Sequence, residues 1–201
     1  MFSHVILGLL RDGRARHGYE LMTEYAARSG SKASAGNFYR ELARLAAEGF
    51  VEVGVNPPDT DARRIPYCIG EKGREVFDRW LVGPSMDDGD FTIWVMFADL
   101  MSRESRARVL DRREEELWMR SKKITRLRDD SLTRPDACKE RWDSFPSLLA
   151  KQMKQVAAEL DYLQELREDL DVWQRTSGRD RQPLAPANGD RGKRRTGGTK
   201  R

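Results

Sequence analysis

The sequence predicts a mostly α-helical protein with one short β-hairpin in its first half, and two patterns carry this prediction. Apolar residues recur at helical spacing in several segments, as Phe38, Leu42 and Leu45 do at i, i+4 and i+7. Between residues 50 and 69, apolar side chains instead alternate on both sides of Asn56-Pro57-Pro58-Asp59, which is typical of two strands and a loop. The hairpin follows a third predicted helix and precedes a fourth.

The four predicted helices have recognisable ends. Asp12-Gly13 ends the first, and His17-Gly18 opens the second. The third begins at Ser34, a residue type that caps helix starts, and closes near Gly49, where a left-handed residue ends a helix. Gly83-Pro84 ends the fourth. The predicted extents are Val5–Leu10, His17–Gly30, Ser34–Glu48 and Glu71–Leu81. Three helices, a hairpin and a closing helix make a winged helix-turn-helix.

The third helix is the candidate DNA-reading element. Its apolar stripe leaves Asn37, Arg40 and Arg44 on another face. Amide and guanidinium groups read base edges and phosphates in a major groove. Taken alone, the pattern is more typical of an ordinary amphipathic surface helix. The helix-turn-helix order before it and the hairpin after it favour DNA binding.

Several motifs resemble those of the PadR family of transcriptional regulators. His17-Gly18-Tyr19-Glu20-Leu21 resembles its H-G-Y-E-L motif, and Tyr39–Gly49 resembles its Y-R-x-L-x-R-L-x-x-E-G recognition helix. Arg63-Arg64-Ile65-Pro66-Tyr67, with Glu71-Lys72-Gly73-Arg74, resembles its wing and closing helix. The resemblance spans roughly residues 5–82 and implies a DNA-binding winged helix with dimerising C-terminal helices.

Two features depart from the family pattern. Gly70 stands where a Thr usually precedes the closing helix, which removes a side-chain cap. Asp59 and Asp61 make the loop of the wing partly acidic, which weakens the case for minor-groove contact at its tip.

The predicted DNA contacts fall on three elements. The start of the second helix offers phosphate contacts, as helix N-termini do. The third helix supplies the reading face, where Tyr39 either contacts a phosphate or packs beneath the helix start. Two arginines beside the wing loop are backbone contacts or simply exposed. The predicted residues are His17, Tyr19, Ser34, Asn37, Tyr39, Arg40, Arg44, Arg63 and Arg64.

The C-terminal half predicts two long helices. The first runs from about residue 102 to 130, with Leu110, Leu117 and Ile124 seven apart. The second carries a seam whose spacings alternate between four and three. This seam closes either on the first helix or on a partner chain, and we favour a partner because residues 91–101 also need covering. The predicted dimerisation residues are Leu149, Met153, Val156, Leu160 and Leu163.

An aromatic segment between the two halves is a candidate effector site. Residues 91–101 are apolar nearly all round. They form either protein core or an aromatic pocket of the kind that the PadR resemblance implies for effector-responsive members. The candidate pocket residues are Phe91, Trp94, Met96 and Phe97.

These patterns divide the chain into three predicted domains. Residues 1–83 form the winged helix-turn-helix, and residues 84–175 form a helical dimerisation and effector domain. Residues 176–201 lack periodicity and are expected to be a disordered basic tail. The net charge of +4 arises there, since residues 179–201 hold eight Arg or Lys against two Asp and leave 1–178 at −2.

Other function classes find little support. Neither histidine sits with a Ser or Cys in a nucleophile arrangement, and we expect no enzyme, metal or cofactor. Two distant cysteines, no membrane-length apolar run and no signal peptide favour a reducing cytoplasm.

We therefore predict a cytoplasmic, homodimeric DNA-binding repressor of PadR type, released from a palindromic operator by a small aromatic effector. The main rival is a winged helix used for protein–protein contact without sequence-specific DNA binding. A small-molecule-binding protein is a weaker alternative.

Overall fold

The computed structural model describes residues 2–55, 65–133 and 145–176. Helices dominate, with a small three-stranded sheet in the first half, and the predicted fold class is confirmed. In chain order the elements are α1 (Phe2–Leu9), β1 (Arg16–His17), α2 (Gly18–Ser29), α3 (Ala35–Ala47), β2 (Val51–Val53), β3 (Pro66–Ile69), α4 (Glu71–Val82), α5 (Asp88–Val95), a 3₁₀ turn (Ala98–Leu100), α6 (Arg103–Thr133) and α7 (Phe145–Thr176).

The first three helices bury one common core. Phe38 and Leu42 of α3 are completely buried, and Leu45 is nearly so, as the seven-residue stripe predicts. The ring of Phe2 on α1 meets Phe38 edge-on, with centroids 5.6 Å apart. The predicted end of α3 is also confirmed, because Gly49 adopts a left-handed φ of 73°. Helix α3 is thus fixed on one side and exposed on the other.

The sheet has one more strand than the sequence predicts. Its order is β1-β3-β2, and β3 is antiparallel to both neighbours. The added strand is only Arg16–His17, with Arg16 opposite Tyr67. A strand of two residues is too short to show an alternating pattern in the sequence, so only its pairing with β3 in the structure reveals it. It places the start of α2 beside the wing.

A close backbone contact explains the glycine in the closing helix. A Cβ at Gly73 would lie 2.1 Å from the backbone carbonyl oxygen of Phe50 and 3.0 Å from Leu7 Cδ2. Helix α4 therefore presses directly on the residue that precedes β2. Only glycine allows this approach, which holds the wing against the helical core.

The segment 91–101 is not a single helix. Helix α5 ends at Val95, and the 3₁₀ turn follows. The fully buried Trp94 donates its indole N–H to the carbonyl oxygen of Leu81 at 2.9 Å, which ties α5 to α4. Phe97 meets Phe77 edge-on at 5.4 Å. Covering these apolar side chains on several sides requires the break, because one straight helix cannot turn all of them toward α4.

Helices α6 and α7 pack against each other as an antiparallel pair within the chain. Leu149, Val156 and Leu163 are buried there, together with Leu117 and Ile124 of α6. The structure therefore has the seam closing within the chain, which is the alternative that the sequence left open, and the dimerisation role of these residues stays a prediction. Two further seam residues, Met153 and Leu160, are half-buried against the same core.

A buried arginine holds the helical pair to α5. Arg113 of α6 is 1% exposed and donates to Asp88 at 2.7 Å and to Glu159 of α7 at 3.0 Å. It also donates to the carbonyl oxygen of Met86, and its guanidinium lies 5.0 Å from the centroid of the Phe91 ring. Hydrogen bonding from Arg113 lowers the pKa of Asp88 below its ordinary value. The pairing compensates a charge that burial would otherwise penalise.

Candidate nucleic-acid interface

Arg40 lies at the centre of the exposed face of α3. Successive residues turn by about 100° along a helix, so Arg40 points away from the stripe of Phe38, Leu42 and Leu45. On one side of Arg40 the exposed neighbours are the small residues Gly36, Ala43 and Ala47, and on the other side they are Asn37 and Arg44. Within the described parts of the chain, Arg40 has no hydrogen bond or ion pair. A free guanidinium beside small residues can approach the floor of a groove closely.

Asn37 and Ser34 extend this face toward the start of α3. Both are exposed. Ser34 is the N-cap residue by backbone position, but its side chain accepts no capping hydrogen bond, contrary to the role that the sequence suggests. Its hydroxyl is therefore available to another partner, and Asn37 offers an amide one turn from Arg40.

Arg44 shares the exposed side of α3 but is already paired. Its Nε and Nη2 donate to the two oxygens of Glu41 at 3.0 and 2.7 Å. Its Nη1 lies 2.7 Å from both oxygens of Glu48. Hydrogen bonding from Arg44 lowers the pKa of Glu41 to about 2. Arg44 is thus paired with two carboxylates, whereas Arg40 has no partner among the described residues.

An aromatic contact joins the start of α2 to the start of α3. A Cβ at Gly18 would lie 2.4 Å from Cε1 of Tyr39. Tyr39 therefore packs on the α2 start, one of the two predicted roles, and keeps 43% of its surface exposed. Tyr19 is 74% exposed, and the backbone N–H of His17 donates to Glu20 at 2.8 Å. Two exposed phenols thus flank the two helix starts.

One basic residue near this surface is absent from the set that the sequence predicts. Lys32 lies in the turn between α2 and α3 and is exposed. Its position just before α3 is the feature of the sequence from which a DNA contact at Lys32 could have been predicted. The predicted contacts Arg63 and Arg64 lie outside the described residues.

The candidate effector residues lie in packed surroundings. Phe91, Trp94 and Phe97 are at most 3% exposed, and the Phe91 and Trp94 rings stack at 5.4 Å. Met96 is half-buried. In this structure the four residues belong to the core between α4 and α6, which is the first of the two predicted roles.

Metal sites and membrane spans find no support in the part of the chain that the structure describes. No group of three or more His, Cys, Asp or Glu residues there could hold a metal ion. None of the described helices is long and apolar enough to cross a membrane.

Three helices, a wing anchored by α4 and an exposed polar face on α3 are the elements of a winged helix-turn-helix, a fold that binds DNA. Comparison with known proteins relates this part of the chain to a family. Residues 6–79 match the sequence model of the transcriptional regulator PadR-like family. Residues 6–79 thus form a PadR-like family domain. No curated protein matches the chain significantly.

Solved structures of similar topology include two of Bacillus subtilis PadR. The complex with operator DNA is 21% identical, with 85% of this chain and 97% of that chain covered and a TM-score of 0.37. The complex with p-coumaric acid is also 21% identical, with 85% and 98% covered and a TM-score of 0.34. The Vibrio cholerae virulence activator AphA is 22% identical, with 86% and 99% covered and a TM-score of 0.35.

Proposed function

We propose that this protein is a homodimeric transcriptional repressor of PadR type that reads operator DNA with the first half of α3. The observation that carries the proposal is Arg40, whose exposed guanidinium is unpaired among the described residues and is bordered on one side by small side chains. Arginine at such a position pairs with a guanine edge through two hydrogen bonds. Asn37 supplies a second base-reading group.

Phosphate contacts position the reading face in this proposal. Tyr19, Tyr39 and Ser34 are exposed at the starts of α2 and α3, and Lys32 lies between these helices. Hydroxyls, lysine and helix N-termini are common phosphate ligands, and they fix the register of a protein on DNA. His17, Arg63 and Arg64 complete the proposed set. Base contacts would then come mainly from Asn37 and Arg40.

A selected duplex tests the DNA-binding function. The probe is a duplex recovered from a randomised library by the full-length protein, compared with a scrambled duplex of equal composition. Arg40→Ala is expected to cost about 1–3 kcal/mol on the selected duplex and to flatten the preference between the two. Arg126→Ala is the matched control, since Arg126 is an exposed arginine on α6. Unchanged affinity in Arg40→Ala would contradict the proposal and favour a protein-contact module.

Dimerisation in this proposal uses outer surfaces of the α6–α7 pair, because its seam is already filled. Trp118 and Met119 of α6 are 52% and 63% exposed, and Tyr162 of α7 is 41% exposed. Large apolar side chains at this exposure are typical of an association surface. We accordingly assign residues 1–83 to DNA binding and 84–175 to dimerisation, with the remaining tail outside both.

We also propose that a small aromatic effector releases the protein from DNA through residues Phe91, Trp94, Met96 and Phe97. Trp94 is hydrogen-bonded to Leu81 of α4 and Phe91 lies against Arg113 of α6, so a compound that separated these residues would shift the winged helix against the long helices. p-Coumaric acid is the first compound to test. Trp94→Phe and Met96→Ala are expected to weaken release while leaving affinity for the selected duplex unchanged. Full release in both variants would place the effector elsewhere.

A further inference from the structure

Arg44 is held by carboxylates on both sides along α3. Glu41 lies three residues before it and Glu48 four residues after it, and both pairs reach 2.7 Å. Glu41 engages two of the guanidinium nitrogens and Glu48 the third. Planar, two-point pairing of this kind has well-defined geometry and is stronger than a single neutral hydrogen bond. We call Glu41, Arg44 and Glu48 the α3 clamp.

The clamp is fixed to the body of the domain. The hydroxyl of Ser3, on α1, donates a hydrogen bond to Glu41. Arg44 also lies near the same hydroxyl, with Nη2 at 3.5 Å from Ser3 Oγ. Glu41 thus accepts hydrogen bonds from a residue of α1 and a residue of α3. Its pKa, lowered to about 2, keeps it ionised at neutral pH. The clamp carries two negative charges and one positive charge.

The clamp occupies the part of α3 where a second arginine would otherwise meet DNA. Arg44 lies seven residues after Asn37, close to two helical turns further along the same side. The Arg44 side chain is 44% exposed, so solvent access does not prevent a DNA contact. Its charge and hydrogen-bonding capacity are instead directed to the two glutamates. Phosphates near this turn would meet a net charge of −1.

We infer that Glu41 and Glu48 limit the affinity of the protein for DNA by withholding Arg44 from the DNA backbone, an inference that rests on the proposed DNA-binding function. An arginine–phosphate contact adds affinity to every sequence alike, whereas base contacts distinguish sequences. Withholding Arg44 therefore lowers binding to operator and to unrelated DNA by the same factor and leaves the discrimination by Asn37 and Arg40 intact. The clamp thus affects how tightly the protein binds DNA and not which sequence it prefers.

A cycle of charge-matched variants tests this inference in the full chain. The pair Glu41→Gln and Glu48→Gln is introduced into the wild-type protein and into Arg44→Gln. Both steps remove the same two negative charges, so a general charge effect changes affinity equally in the two backgrounds. Glutamine retains an oxygen that accepts from Ser3 and is close in size to glutamate. Glu116→Gln on α6 is a control for removal of an exposed carboxylate elsewhere.

Affinity is measured for the scrambled and selected duplexes at several salt concentrations. In the Arg44 background, affinity for the scrambled duplex is expected to rise about three- to tenfold more than in the Arg44→Gln background. The slope of log affinity against log salt concentration should steepen there by about 0.9 for each additional phosphate that the protein neutralises. Affinity for the selected duplex should rise by the same factor, so the ratio of selected to scrambled affinity should stay unchanged. Equal increases in the two backgrounds, or no increase in either, would overturn the inference.

Two further measurements keep the outcomes distinct. The midpoint of denaturant unfolding shows that each variant is folded, and Glu48→Gln alone repeats the cycle without touching the Ser3 contact. If Arg40→Ala loses binding to the selected duplex but the glutamate substitutions have equal effects in the two backgrounds, only the inference about the clamp is refuted. Unchanged binding in Arg40→Ala refutes the proposed function itself.

Discussion

The indole nitrogen of Trp80 lies 2.9 Å from Oδ2 of Asp90, so the end of α4 is hydrogen-bonded to the beginning of α5. The same oxygen accepts from the backbone N–H of Ser85 at 3.0 Å. His4 of α1 stacks on the Trp80 ring with centroids 4.3 Å apart, and its Nδ1 is 3.6 Å from Asp90 Oδ1. This cluster joins the winged helix to the segment that leads into α6.

Removal of the Asp90 carboxylate should destabilise the protein. Trp80 is 8% exposed, so Asp90→Ala would leave its N–H without that acceptor in a desolvated position. We expect a loss of about 1–3 kcal/mol in the free energy of unfolding, measured by urea denaturation. Asp161→Ala, at an exposed position of α7, is the control and should change stability by less than about 0.5 kcal/mol. Similar values for both variants would show that the Trp80 contact contributes little.

Stability should depend on pH through His4. Burial lowers the pKa of His4 below 6.5, against an opposing effect of Asp90. The unfolded chain then binds the proton more readily than the native one, so the His4 contribution is complete above the unfolded pKa and declines as pH falls below about 6.5. The free energy of unfolding should decrease more between pH 7.5 and 5.5 in the wild type than in His4→Phe. The difference is limited to about 1.4 kcal/mol per pH unit. Parallel pH profiles for the two proteins would contradict this assignment.

Gly73→Ala should be strongly destabilising because its Cβ would enter the space of the Phe50 carbonyl oxygen, 2.1 Å away. Backbone cannot rotate out of the way as a side chain can, and we expect a loss of about 3 kcal/mol. Gly36→Ala provides the comparison, since a Cβ there meets nothing within 4 Å and alanine favours a helix. Thermal unfolding of both variants should show opposite shifts in Tm. A mild effect at Gly73 would mean that α4 can move away from the wing without loss of stability.

Gly18→Ala should weaken DNA binding by displacing Tyr39. The new methyl group would lie 2.4 Å from the Tyr39 ring, which has room to move because 43% of it is exposed. The expected loss on the selected duplex is about 1 kcal/mol, with a smaller effect on stability than that of Gly73→Ala. Combining it with Tyr39→Ala separates the two explanations. If Gly18→Ala still reduces affinity in the Tyr39→Ala background, the effect does not pass through Tyr39.

Charges on the outer surface of α6 should dissociate the proposed dimer. Trp118→Glu and Met119→Glu place carboxylates at exposed positions, so the fold should tolerate them. Sedimentation velocity of the full chain is expected to change from dimer to monomer, and affinity for a palindromic duplex should fall accordingly. Tyr19→Glu, at another exposed aromatic position on α2, should leave the sedimentation coefficient unchanged. A double variant that remains dimeric would move the interface to another surface.

Local features of the sequence were sufficient for the helices and for the reading face. The spacing of Phe38, Leu42 and Leu45 determined which side of α3 is buried, and Gly49 determined where the helix ends. Such features are predictable because they depend on the geometry of one helix and on the conformational freedom of one residue. Arg40 could be assigned to the exposed face for the same reason.

The choice among possible partners was decided only by the tertiary structure. The sequence assigns Arg40 to base edges and Arg44 to a phosphate, but in the structure Arg44 pairs with Glu41, which also accepts from Ser3 of α1, while Arg40 is unpaired among the described residues. Leu149 and Val156 form a regular seam whose partner no periodicity specifies, and they pack on α6 of the same chain. The two-residue β1 exists because β3 passes beside it. The contacts of Ser3 with Glu41, of α6 with α7 and of β1 with β3 join residues distant in sequence, so they depend on how complete elements are placed relative to one another.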